Sequence, residues 1–184
     1  MIMTQLKEAT AALHDAVEAQ MPVLRPDLTR AEYTQLLSQV YWAVAPLDAQ
    51  VQALDLPGAF LAAQRQKTPL LRRDLAALGA AVPPLPLVAG PALDLPGALG
   101  ALYVLEGATL GGQVISRHLQ GTLGLSPEAG GAYFHGYGRA TGAMWRAFGE
   151  AMTAQVTPAQ APAVLAGAQA AFARFAQALS RVAA

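Results

Sequence analysis

Chemically reactive side chains are few in this sequence, and the most informative of them is a histidine near the N-terminus. At about 100° per residue, Lys7, Ala11, His14 and Glu18 fall on one stripe of a helix. The stripe places an imidazole in mid-helix, a small residue beside it and an ammonium group two turns, about 10 Å, away. A flat, apolar, iron-bearing group with acidic substituents, such as haem, would fit these residues. The alternative is a surface hydrogen-bonded pair at i, i+4 spacing.

A second informative segment, residues 102–115, carries glycines inside a well-patterned helix. Gly107, Gly111 and Gly112 each cost the helix up to about 1 kcal/mol relative to alanine. Such a helix must bend, or must let another group approach its backbone closely. That group could be a ligand or a neighbouring helix, and this segment alone does not decide between them. Together with the histidine helix, a kinked glycine helix would form a slot for a planar macrocycle, with room on one side for a diatomic ligand.

Both segments are similar to motifs of one protein family. Residues 6–10 (Leu-Lys-Glu-Ala-Thr), followed by His14 and Glu18, resemble the proximal-helix motif of haem oxygenases. Residues 105–114 resemble the distal-helix signature of the same family. The sequence is most similar to the bacterial, biliverdin-producing type associated with bacteriophytochromes. The resemblance implies a single all-α domain over residues 1–184, with haem between a proximal helix and a kinked, glycine-rich distal helix.

The resemblance also implies roles for individual residues. His14 would be the axial ligand of the haem iron, and Glu18 would be its neighbour on the helix and in the cofactor site. Lys7 would contact a haem propionate. Gly107 and Gly111 would line the distal pocket and act in catalysis. The other residues expected to contact haem are Ala11, Tyr103 and Gly112.

One position departs from the pattern of the animal members of the family. These proteins carry an aspartate directly after the first distal glycine, where it organises waters that deliver protons, whereas this sequence has Ala108. The resemblance therefore does not indicate which groups would deliver protons. The side chains that could contact propionates or such waters are Arg117, Tyr103, Tyr133, Tyr137 and Arg146. We interpret His118 and His135 as surface or structural residues, since His118 lies three helical turns beyond Gly107.

A haem oxygenase would open haem to biliverdin, expected here as the alpha isomer, and would release carbon monoxide and ferrous iron. The resemblance implies O2 as co-substrate, a ferredoxin or a reductase as electron donor, and a bacteriophytochrome as acceptor of biliverdin. A haem carrier or sensor without turnover is the alternative on the same fold. Two other activities that occur on related folds need residues that this sequence does not contain. A di-iron site needs several carboxylates with Glu-x-x-His motifs, and thiamin salvage relies on a cysteine, which this sequence does not contain.

Composition narrows the class of protein further. Hydrophobic residues make up 54% and charged residues 13% of the 184 residues, and the formal net charge is zero. Without a basic stripe, nucleic-acid binding has no support. The lack of cysteine excludes disulfides and thiolate metal sites and agrees with a reducing cytoplasm. We also expect no signal peptide and no window apolar enough to span a membrane.

Helix-start and helix-stop signals indicate the elements that must position these residues: six to eight helices and no strands. The first helix would contain residues 6–21. A capping box of Thr29 and Glu32 would begin a second helix that runs to about Leu54. Another capping box, at residues 157–160, would begin the last amphipathic helix.

Similar signals divide the middle of the chain. Thr68 is expected to cap a third helix, which Gly79 would end. Residues 81–91, rich in proline, would form an ordered connector within the domain. Asp94 would then begin the long glycine-bearing helix, which is expected to run to about Leu119.

Overall fold

The computed structural model of the protein describes residues 1–85 and 92–181. No strand occurs in these two stretches, which confirms the all-α prediction and the expected number of helices. The α-helices are α1 (Ile2–Ala19), α2 (Arg30–Gln52), α3 (Thr68–Ala77), α4 (Leu95–Leu123), α5 (Ala132–His135), α6 (Thr141–Gln155) and α7 (Ala161–Leu179). Short 3-10 turns lie at Gly58–Phe60, Ala62–Arg65 and Gly138–Ala140.

The longest helix, α4, is the centre of the fold. It packs against α7, α5, α2 and α6, and every residue from 97 to 102 is buried. The N-terminal helix α1 packs on α7 and α6, and α2 packs on α7, α3 and α4. Aliphatic and aromatic side chains from these helices fill one continuous core. Two helices, α6 and α7, therefore contact both α1 and α4 and determine how those two are placed.

The close contact between α4 and α7 depends on glycine. A Cβ atom built on Gly100 would lie 2.5 Å from the backbone nitrogen of Ala168 and would also collide with the carbonyl oxygen of Val164. A Cβ atom built on Gly167 would lie 2.6 Å from the Cα atom of Gly97. Because real Cβ atoms do not come this close to other atoms, no side chain fits between the two backbones. This contact, which we call the crossing of α4 and α7, therefore fixes the position of one helix relative to the other.

Helix α4 is long and apolar enough to cross a membrane, so the expectation that no such window exists is wrong. In the described parts of the chain it is the one helix of this kind. However, 56% of its most apolar window is buried inside the fold. A helix that is apolar on most of its faces and packed against four others is typical of a protein core. We therefore describe α4 as the core helix of a soluble fold.

Three helix ends follow the local sequence signals. Thr29 and Glu32 form the predicted capping box, in which each side chain bonds to the other residue's backbone N–H, at 3.2 and 2.8 Å. The carboxylate of Asp94 accepts from the backbone N–H of Gly97 at 2.9 Å, where α4 begins. Gly79 follows the end of α3 with φ +73°, the left-handed conformation that favours glycine. These predictions are confirmed.

Two other ends differ from the predictions. Thr68 does not cap α3 but is its first residue. The carboxylate of Asp48, on α2, performs the capping by accepting from the N–H groups of Lys67 and Thr68 at 3.0 and 2.9 Å. Helix α4 continues one turn beyond Leu119 and ends at Gly124, which has φ +65°.

The last helix also begins later than expected. The side chain of Gln160 accepts from the backbone N–H and from the hydroxyl of Thr157, at 3.0 and 2.9 Å. The N-cap of α7 is Gln160, without a side-chain cap, so this pair does not cap the helix. The pair closes a turn, and α7 begins after it, at Ala161.

The connector predicted over residues 81–91 lies partly outside the described residues, which omit 86–91. In its described part, the indole N–H of Trp42 donates to the carbonyl oxygen of Pro84 at 3.0 Å. Helix α2 therefore anchors the start of the connector.

Candidate functional site

The imidazole of His14 lies on the surface of α1. Its side chain is 54% exposed, with Nε2 3.6 Å from Oε1 of Glu18 and Nδ1 3.7 Å from Oδ1 of Asp15. These distances exceed that of a hydrogen bond, so neither carboxylate satisfies the imidazole. The ring stands edge-on to Phe172 of α7, with ring centroids 6.1 Å apart. One edge of the imidazole is thus held by the fold, and its nitrogen atoms remain available to a ligand.

Lys7 and Ala11 complete the exposed stripe of α1. Among the described residues, the ammonium group of Lys7 forms no ion pair. Thr10 lies on the buried face of the helix, next to this stripe, and its hydroxyl donates to the carbonyl oxygen of Leu6 at 2.7 Å. The exposed stripe therefore presents a cation, a small residue and an imidazole on one accessible face.

Gly107 and Gly111 border open space. Among the residues that the structure describes, a Cβ atom built on Gly107 would meet only the side chain of Trp145, at 4.0 Å, and one built on Gly111 would meet nothing within 4 Å. Close packing of helices therefore does not require glycine at either position. Leu110 and Val114, which are 39% and 54% exposed, flank the two glycines. We call these four residues of α4, spaced i, i+3, i+4 and i+7, the apolar stripe, because they form one helix face that protein leaves uncovered.

Gly112 has different surroundings from its two neighbours. It is buried, and a Cβ atom built on it would lie 2.7 Å from the carbonyl oxygen of Phe134 in α5. This glycine therefore lets α4 and α5 approach closely. Helix packing thus accounts for glycine at position 112, whereas it does not account for the glycines of the apolar stripe.

Tyr103 lies one turn before Gly107 and is half-buried. Its ring packs on that of Trp145 of α6, with centroids 5.8 Å apart. Partial burial raises the pKa of the Tyr103 hydroxyl, while a hydrogen bond with the side chain of Thr10 in α1 opposes this effect. Tyr103 thus brings the α1 and α4 sides of the candidate site together.

The remaining polar candidates are only partly available. The Nε2 atom of His118 lies 3.2 Å from the carbonyl oxygen of Arg25, which agrees with a structural role. Tyr133 is buried in α5, so it cannot reach a ligand at the surface. Arg117 and Arg146 are exposed and could reach acidic groups.

A buried network of charges adjoins the glycines and was not expected from the sequence. Arg65 and Glu106 form a fully buried ion pair. The Nζ atom of Lys67 lies 2.7 Å from Oε1 of Glu106 and donates to the hydroxyl of Tyr137 at 2.6 Å. That hydroxyl donates in turn to Oε1 of Glu106 at 2.7 Å. The sequence does carry one signal of this network, since Glu106 is a lone carboxylate within the apolar sequence of α4. A carboxylate that is buried needs partners, so others had to be expected near it.

The network also joins separate parts of the chain. Besides its ion pair, Arg65 donates to the carbonyl oxygens of Phe60, at 2.6 Å, and Met144, at 3.1 Å. Burial lowers the pKa of Lys67, while the carboxylate of Glu106 opposes this effect. Every member thus has a partner of opposite charge or a hydrogen bond, as a stable buried network requires.

Comparison with known proteins identifies relatives of one kind. The sequence model of the family described as heme oxygenase matches residues 88–181, just over half of the chain. The heme oxygenase of Xanthomonas campestris pv. campestris (strain 8004) is 39% identical over 119 residues, which cover 60% of this chain and 66% of that protein. The match to the family model includes the glycines of α4 but not the stripe of α1.

Solved structures extend the likeness to the whole fold. The heme oxygenase of Neisseria meningitidis, solved in NO- and CO-bound forms, has a TM-score of 0.87 at 25% identity, over 97% of this chain and 90% of that one. Heme oxygenase-1 of the cyanobacterium Synechocystis, in complex with heme, has a TM-score of 0.78 at 18% identity, over 97% and 90% of the two chains. The heme oxygenase of Leptospira interrogans has a TM-score of 0.80 at 17% identity, over 98% and 99%.

Proposed function

Because the chain belongs to the haem oxygenase family, whose members are oxidoreductases that degrade haem, we propose that it opens haem between the exposed stripe of α1 and the apolar stripe of α4. Haem supplies the iron that takes up O2 and is also the substrate. The product would be biliverdin, as the alpha isomer, with carbon monoxide and ferrous iron. The whole chain, residues 1–184, would form one domain around this site.

The surroundings of Gly111 carry the proposal. Glycine weakens a helix by up to about 1 kcal/mol relative to alanine, and at Gly111 no neighbouring atom within residues 1–85 and 92–181 accounts for that loss. The same helix face exposes Leu110 and Val114, whose apolar side chains could be covered by a flat apolar ligand. A flat apolar ligand lying against this face explains both features.

Each residue of the proposed site has a task that its side chain can perform. The imidazole of His14 would bind the iron on the α1 side, supported by the edge of Phe172. Ala11 would let the macrocycle approach α1, and the ammonium group of Lys7 would bind a propionate. Since Ala108 has no acidic group, protons would reach the site through water rather than from a carboxylate at that position.

One experiment separates turnover from haem storage. The purified chain is loaded with haem under argon and then given a reductant and oxygen. Loss of the Soret band with growth of a biliverdin spectrum is the expected result. An intact Soret band after repeated reduction would support the carrier or sensor instead.

We expect Gly111→Ala to reduce biliverdin formation about tenfold or more while haem still binds. The added methyl group would occupy the space proposed for haem-bound O2 and its waters, and overpacking of about 2 kcal/mol corresponds to a roughly thirtyfold change in rate. The matched control is Gly121→Ala, another exposed glycine of α4 with no atom within 4 Å of its Cβ position. Both variants should be at least as stable as the parent. Equal turnover in the two would show that Gly111 does not border the reaction.

We expect Lys7→Ala to change how haem is seated more than how tightly it binds. A single exposed ion pair contributes about 0–1 kcal/mol, which alters affinity only severalfold but is enough to bias one orientation of the macrocycle. Mixed biliverdin isomers, measured by chromatography, are the expected outcome. One unchanged isomer would argue against a contact between Lys7 and a propionate.

The proposal of reaction partners rests only on the similarity of the two motifs to those of bacterial, biliverdin-producing haem oxygenases. We propose a ferredoxin or a reductase as electron donor and a bacteriophytochrome as acceptor of biliverdin. A cytoplasmic location is supported by the lack of cysteine.

A further inference from the structure

Four consecutive residues, 134–137, contact one side of α4 along about two turns. The hydroxyl of Tyr137 donates to Glu106, and the side chain of Gln113 donates to the carbonyl oxygen of His135 at 2.8 Å. Between these two bonds, Gly136 lies directly against the side chain of Thr109. We call residues 134–137 the brace.

The braced face is next to the face that carries the apolar stripe. Glu106, Thr109 and Gln113 are spaced i, i+3 and i+7, so they share one side of α4. Gly107 follows Glu106 directly and is rotated from it by about 100°. A contact that fixes the side chain of Glu106 therefore fixes the backbone on which Gly107 lies.

This part of α4 needs such support. Gly107, Gly111 and Gly112 all lower the intrinsic stability of the helix there, and the apolar stripe receives little support from other helices. By contrast, Glu106 is buried and accepts from Arg65, Lys67 and Tyr137. The strongest interactions in this region thus lie immediately before the first glycine.

We propose that Lys67 and Tyr137 are positioning residues, which hold Glu106 and thereby set the place of Gly107 in the proposed haem site. This inference rests on the proposed function for its link to haem. Neither residue needs to contact haem, because both act through the carboxylate of Glu106. The hydroxyl of Tyr137 is central, since it accepts from Lys67 and donates to Glu106.

The test is amide hydrogen exchange in the haem-free chain with Tyr137→Phe, which removes only the hydroxyl. Exchange at residues 107–113 should rise about tenfold, as expected when one buried hydrogen bond to a charged group is lost. Exchange in α2 should not change. The control is Tyr33→Phe, which removes a buried hydroxyl donating to the carbonyl oxygen of Gly130 at 2.9 Å. This control should leave residues 107–113 unchanged.

A second measurement follows the pocket itself. In the haem-loaded chain with carbon monoxide bound, Tyr137→Phe should broaden or split the CO stretching band, because Gly107 would occupy more than one position. Lys67→Met should give the same regional pattern of exchange. Exchange at residues 107–113 that stays at the parental rate in Tyr137→Phe, or that rises equally in Tyr33→Phe, would overturn the proposal. Failure of the parent to bind haem would refute the proposed function, while the haem-free exchange would still decide the role of Tyr137.

Discussion

Replacement of His14 by alanine is expected to abolish the histidine-ligated haem spectrum and nearly all biliverdin formation, while the fold survives. The imidazole is more than half exposed and has no hydrogen bond to either neighbouring carboxylate, so the fold gains little from it. Unfolding free energy should change by less than about 0.5 kcal/mol, as is usual for surface substitutions. Absorption and resonance Raman spectra of the reconstituted variant measure the ligand directly.

The matched control for this prediction is His118→Ala. That histidine lies on α4 three helical turns beyond Gly107, with its Nε2 atom 3.2 Å from the carbonyl oxygen of Arg25, and its loss should leave the haem spectrum unaltered. Added imidazole should partly restore the spectrum of His14→Ala by filling the vacated ligand position. If His14→Ala keeps a histidine-ligated spectrum and His118→Ala loses it, the ligand assignment is wrong.

The largest expected effect on stability is that of Gly100→Ala. Its new methyl group would meet the backbone of α7 at Ala168 and Val164, where no flexible side chain can move aside. Overpacking of this kind costs about 3 kcal/mol or more, which corresponds to a decrease in Tm of roughly 10 °C for a domain of this size. Differential scanning calorimetry of the haem-free chain gives the value.

Gly121→Ala again serves as the control, because the same substitution on the same helix meets no neighbour there. It should leave Tm unchanged or raise it slightly, since alanine favours the helix. Gly167→Ala should resemble Gly100→Ala, as it probes the other side of the same contact. A Tm that does not decrease in either crossing variant would mean that α4 and α7 do not touch at these residues.

Local signals in the sequence predicted much of the fold. The capping box of Thr29 and Glu32 and the cap at Asp94 involve residues three apart, so their partners can be read from the chain itself. Thr68 was assigned wrongly because its N–H is satisfied by Asp48, twenty residues earlier. A threonine followed by proline looks the same in sequence whether its own hydroxyl or a distant carboxylate caps the helix.

In the candidate site, too, the sequence predicted features that depend on neighbouring residues but not those that depend on tertiary contacts. Helical periodicity placed His14 and Lys7 on one exposed face, and the structure has them there. Periodicity could not separate Gly111, which has no neighbours, from Gly112, which touches Phe134, because the difference lies in what packs against each one. The pairing of Arg65 with Glu106 was likewise invisible, since the two residues are brought together only by the tertiary fold.

The packing of α1 against α7 has a consequence for synthesis of the chain. The helix that carries His14 leaves the ribosome about 150 residues before α7, which supplies Phe172. At typical rates of translation, the interval is roughly 10–30 s. During that time the face of α1 that packs on α7 lacks its final partner. The proposed haem site at His14 would therefore be complete only after α7 has been made.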